Sequence, residues 1–159
     1  MIPGAETSAT LLFGPGRYRF FLPLKAIVEL ERLCGDKPIG VIYDEISGSI
    51  GLSRETEDPV YLIGGTARAK DAYQVIRLAA QYGAEGEVAG ETKAVSALDA
   101  TRLVEDYVDS RPYDEFMPVA WAILRNTLSG TTLKKKAVVP ESPNPSAEAT
   151  SSVLVDSLA

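Results

Sequence analysis

The sequence predicts a mainly α-helical domain of small α+β type, with an N-terminal β-hairpin and a disordered C-terminal tail. Three observations carry that expectation. Apolar residues recur at helical spacing over residues 67–82, 96–109 and 114–128. Gly14-Pro15-Gly16 stands between two short apolar runs near the start. After Lys134, Lys135 and Lys136 the composition turns abruptly to proline, serine and alanine. A chain of 159 residues has room for one domain with a real core. That domain is expected at 9–133, between a flexible N-terminus at 1–8 and a disordered Pro/Ser-rich tail at 134–159.

The elements follow in order. Residues 10–13 and 17–22 are rich in aromatic and aliphatic side chains, and two glycines with a proline suit a short hairpin loop between them. Strand alternation puts Arg17, Arg19 and Phe21 on one face and Tyr18, Phe20 and Leu22 on the other. Pro23 opens a helix in which Leu24, Ile27, Val28, Leu30 and Leu33 form the apolar stripe, closed by Gly35. Pro38 restarts a second helix through Ile39, Ile42, Tyr43 and Ile46, ending at Gly48. "GSIGLSRETEDP" reads as a polar connector, and the short run "VYLIGG" as a helical continuation. The helix over 67–82 turns Ala72, Tyr73, Ile76, Ala79 and Ala80 inward, with Thr66 as its cap. "GAEGEVAGETKA" reads as a loop. Ala100, Leu103, Val104, Tyr107 and Val108 mark the next helix, which Arg111-Pro112 breaks. Asp114 caps the last helix, whose face is Phe116, Met117, Ala120, Trp121, Leu124 and Leu128, with Pro118 near its first turn and Gly130 closing it.

Composition narrows the function. The net charge of -6 and pI of about 4.7 leave no basic face for nucleic acid or an anionic membrane. No run approaches the ~20 apolar residues of a membrane span. "MIPGAETSAT" lacks the basic and apolar regions of a secretory signal, and one cysteine forms no internal disulfide, so a cytoplasmic setting is expected. The absence of histidine removes the commonest general base and the commonest metal ligand. No cofactor is expected.

Each candidate site has a plainer explanation beside it. "FGPGRYRF" lacks the lysine and hydroxyl of a phosphate loop, so its glycines make a turn. Gly64-Gly65-Thr66 could hold an anion at a helix start, against an ordinary Thr66 cap. Cys34 is a small buried apolar group before it is a nucleophile. Glu105, Asp106, Asp109, Asp114 and Glu115 concentrate carboxylates. A metal-dependent enzyme using Asp106, Asp109 and Asp114 is one alternative; a solvated face is the other. Tyr113, Phe116, Met117, Trp121 and Leu124 are the candidate partner-binding residues, with core packing as the competing role. Lys134–Lys136 suit the end of the preceding helix, whose dipole welcomes cations. The terminal "VLVDSL" is either a frayed end or a short docking segment.

Taken together, "AIVELERLCGDKPIGVIYDEI", "VYLIGGTARAKDAYQVIRLAAQYGAEGE" and "RLVEDYVDSRPYDEFMPVAWAILRNTLSG" resemble the tail assembly chaperone family of gene transfer agents and tailed phages. The resemblance runs over residues 10–130 and rests on packing patterns rather than catalytic signatures. "AAQYGAEGE" departs from it, since a more apolar, glycine-rich turn is usual there, and the proline-rich tail lies outside it. It implies a non-enzymatic role: binding the helical tape-measure protein and holding it soluble until tube subunits polymerise around it. Self-association is a further possible partner relation. Two alternatives to the chaperone stand: a structural tail or head-tail component retained in the particle, and the metal-dependent enzyme. Some chaperones of this kind have a longer frameshifted form, for which the Lys134–Lys136 codons are the conceivable slip site.

Overall fold

A computed structural model describes residues 7–130, of which Thr7–Leu128 pack as one unit. The expected flexible start, the tail, the Lys134–Lys136 cluster and "VLVDSL" lie largely or wholly outside the described residues. Strands β1 (Ala9–Phe13) and β2 (Gly16–Phe20) lead into helices α1 (Leu24–Leu33) and α2 (Ile39–Ser47). A second ribbon, β3 (Ile50–Leu52) and β4 (Pro59–Tyr61), precedes the long helix α3 (Ala69–Gly83). A third hairpin, β5 (Glu85–Val88) and β6 (Glu91–Ala94), is followed by α4 (Ala97–Tyr107) and α5 (Tyr113–Ser129). This is a small α+β fold. Among the described residues no helix is long and apolar enough to cross a membrane.

The N-terminal hairpin is one half of an antiparallel sheet in the order β1-β2-β5-β6. Phe13 pairs with Gly16, so the loop is two residues long rather than three. Gly14 sits at φ 57° in its first position, where a type II′ turn favours glycine. Tyr18, Phe20 and Leu22 are buried, as the strand period requires.

Helix α3 occupies the centre. It packs against β2, α1 and α4, and Ala72, Val75, Ile76, Leu78, Ala79 and Ala80 are all buried. Its small residues allow an unusually close approach to the sheet. The Phe21 N–H donates to the Ala79 carbonyl at 3.0 Å, and a Cβ on Gly83 would lie 1.7 Å from the Arg19 carbonyl oxygen. No other residue fits at 83.

Several expectations are corrected. "GAEGEVAGETKA" is a hairpin turning at Ala89 and Gly90, both at positive φ, not a loop; its short strands carry no buried-face pattern, because β6 is exposed throughout. "VYLIGG" supplies strand β4, not helix: Val60 pairs with Gly51. Helix α3 starts after Arg68, with no side-chain cap, so Thr66 is not its cap. Asp114 lies inside the first turn of α5 rather than before it. Ile123 replaces Trp121 and Leu128 on the buried face of that helix, and Pro118 falls beyond its first turn.

Candidate partner-binding surface

The ribbon β3–β4 differs from the main sheet in what it shows to solvent. On the main sheet, Arg19 lies between Thr10 and Glu85, and Arg17 between Leu12 and Glu87. That outer face is mostly polar, with opposite charges side by side. On the ribbon, Ile50 and Tyr61 form one cross-strand pair and pack against the core. Alternation turns Gly51, Val60 and Leu62 to the other face. Leu62 lies across Gly51, where an added Cβ would stand 3.0 Å from its Cδ1. Val60 and Leu62 are exposed, and Ile63 is 95% exposed.

Ser49 holds this presentation in place. Its side chain is buried and its carbonyl accepts the Leu62 N–H at 2.6 Å. Its hydroxyl donates to the Gly64 carbonyl at 2.9 Å. The chain is therefore pinned on both sides of Ile63. Gly65 follows at φ 85°, and a Cβ there would meet the Ser49 Oγ at 2.7 Å. The Gly64-Gly65 pair thus serves a tight turn under Ile63 and stands ahead of the α3 start.

The opposite end of the ribbon is an ordered acidic turn. The Ser53 N–H donates to the Asp58 carbonyl, and the Glu57 N–H to the Ser53 carbonyl, each at 2.8 Å. The Ser53 Oγ accepts from the Glu55 and Thr56 N–H groups at 3.3 and 3.4 Å. Glu55, Glu57 and Asp58 are all exposed, with Arg54 among them.

Helix α5 borders the ribbon at one point and the end of α2 at another. The Tyr113 ring centroid lies 5.7 Å from that of Tyr61. The Trp121 indole N–H donates to the Ser47 hydroxyl at 3.2 Å, at the end of α2, and the Arg125 guanidinium lies over its ring. Of the five candidate partner-binding residues, Tyr113 is exposed and Trp121 half-buried. Phe116, Met117 and Leu124 are at most 1% exposed, because they face inward with Ala120 and Ile123; they are core residues and cannot meet a partner directly. Val60, Leu62 and Ile63 with Ser49, which build the candidate surface, are not among those five residues. An isoleucine standing immediately before two glycines was the available signal.

The carboxylates Glu105, Asp106, Asp109, Asp114 and Glu115 are exposed. Among the described residues no group of three or more Cys, Asp or Glu side chains stands where it could hold a metal ion. Glu115 approaches Arg111 at 3.5 Å.

One charged cluster lies inside. Asp71, in the first turn of α3, is 1% exposed. Lys37 pairs with it and, at 2.6 Å, with Glu45. Burial disfavours the Lys37 ammonium, but its hydrogen bonds to Asp71 and Glu45 outweigh this and raise its pKa. Among the described residues Asp71 Oδ1 has no hydrogen-bond partner. Burial, with the nearby Asp71 charge, pushes the Cys34 thiol up to about 12, so it is a thiol rather than a thiolate nucleophile. The cluster ties the α1–α2 connection to α3.

Compared with family models, with characterised proteins and with solved structures, the chain matches none.

Proposed function

We propose that this chain works by docking another protein, without catalysis, and that its partner is a long helical protein. The observation that carries the proposal is the outward face of β3–β4. Val60 and Leu62 stand exposed on it, and Ile63, just beyond β4, is exposed where Ser49 fixes the backbone on either side, while the outer face of the main sheet is mostly polar. Leaving an isoleucine in water forgoes about 1.5–3 kcal/mol that burial would supply. A partner helix can recover it by laying an apolar stripe on the ribbon.

The specific identity follows from the resemblance to tail assembly chaperones. The chain binds the tape-measure protein in the host cytoplasm, keeps it soluble, and leaves as tube subunits assemble. The lack of histidine and the engagement of Lys37 with Asp71 and Glu45 support a role without chemistry.

Co-expression of the full chain with the tape-measure protein tests this. The partner should aggregate alone, stay soluble with the chain, and be lost on combined Leu62→Glu and Ile63→Asp substitution. Stoichiometric retention of the chain in finished particles would favour a structural component instead.

A further inference from the structure

Resting on the docking role just proposed, we infer that the partner presents a cationic amphipathic helix. Its aliphatic stripe is anchored by Ile63, and its basic residues meet the Glu55-Glu57-Asp58 turn. Two observations at opposite ends of one ribbon carry this. At one end, Ile63 is 95% exposed although the backbone on both sides of it is fixed by Ser49. A fixed backbone spares the loop-ordering part of the cost of covering an exposed side chain, so that only its rotamer freedom is lost when a partner binds. At the other end, Ser53 fixes a turn carrying three exposed carboxylates and one arginine.

The spacing makes the partner specific. From Asp58 to Ile63, along β4 and the residues that flank it, the chain spans at most on the order of 15 Å, about three turns of helix. A helix lying along the ribbon therefore meets Ile63 with aliphatic residues, and the acidic turn with lysines or arginines about ten residues away. Charge selects against a second copy as the occupant. Two chains of net charge -6 docked with their ribbons parallel would bring like acidic turns together, and docked antiparallel they would set each acidic turn against the other's Ile63 rather than a basic residue.

The test uses the full chain and two synthetic 18-residue helical peptides. Both carry one leucine stripe at one end; one has a lysine cluster about three turns along, the other glutamates at the same places. Binding is read by anisotropy of the labelled peptide at two salt concentrations. The lysine peptide should bind at least about tenfold more tightly than the glutamate peptide, with the difference shrinking at high salt. Ile63→Ser should weaken it about tenfold or more while melting temperature stays unchanged. Joint Glu55→Gln, Glu57→Gln and Asp58→Asn substitution should remove the salt dependence but leave the Ile63 effect. Equal affinity for the two peptides overturns the charge assignment. If Ile63→Ser nevertheless abolishes capture of the co-expressed helical protein, the docking role stands without it. If Ile63→Ser affects neither assay, the docking surface itself is wrong. A concentration-dependent dimer in sedimentation, made monomeric by Ile63→Ser, would identify a second copy as the occupant and overturn the inference.

Discussion

Replacing Lys37 by methionine would leave the Asp71 carboxylate, 1% exposed, without its counter-ion. Breaking a buried pair from one side costs about 3–5 kcal/mol, so urea denaturation should show a loss of that size. Lys37→Met combined with Asp71→Leu removes both charges and should recover much of it, because a buried pair contributes less net stability than either half costs when stranded. Gly83 gives a second prediction at this scale. An alanine there places its Cβ 1.7 Å from the Arg19 carbonyl oxygen, and neither backbone can yield while Phe21 N–H is held by Ala79. Gly83→Ala should cost more than about 3 kcal/mol, beyond ordinary overpacking. Neither position stood out in the sequence. Nothing in the local pattern singles out Asp71, and Gly83 reads as the first residue of a loop; each acquires its meaning from a chain segment far away in sequence.

The elements that were legible are those whose pattern is local. In α3 and α4 a stripe repeats over several turns, and in β2 Tyr18, Phe20 and Leu22 alternate inward; both periods survive without knowledge of neighbours. The two later hairpins were not legible for the same physical reason. β3 and β4 are three residues each, too short for a period, and β6 has no buried side chain to mark a face. Their pairing comes from turns and from β2, which the β5 strand joins. The apolar surface of the ribbon was invisible with it, since only pairing shows that Val60 and Leu62 face outward. The last helix shows a smaller miss: Pro118 lies inside α5 beyond the first turn, where it cannot donate to the Asp114 carbonyl and its ring crowds that group. Pro118→Ala should therefore stabilise the helix by about 1–3 kcal/mol, read as a rise in melting temperature by circular dichroism. Ser96→Ala acts in the opposite direction. It removes the hydroxyl that accepts the Asp99 N–H at 3.1 Å from a reciprocal capping box, and should cost about 1 kcal/mol.

Over the whole molecule, the absence of histidine leaves little to titrate near neutrality, so stability should be almost flat from pH 6 to 8.5. The alkaline side is different. Cys34 has an ordinary value of 9.0 and is pushed up to about 12 by burial. Its unfolded form therefore loses a proton before its folded form does. The stability this contributes is complete below pH 9 and is lost progressively as pH rises towards 12. Tyr18 and Tyr73, raised from 10.0 chiefly by burial, and Lys37, raised from 10.5 by its two carboxylate partners against the effect of burial, follow the same sign at higher pH. Among these shifted groups Cys34 alone acts between pH 9 and 10. Unfolding free energy measured in urea should thus begin to fall near pH 9 in the native chain. In Cys34→Ala the curve should start lower, because a buried side chain has been cut back, yet stay level to about pH 10. Parallel curves for the two chains would mean that Cys34 ionises as easily folded as unfolded. Its place against Asp71 in the core would then have to be abandoned.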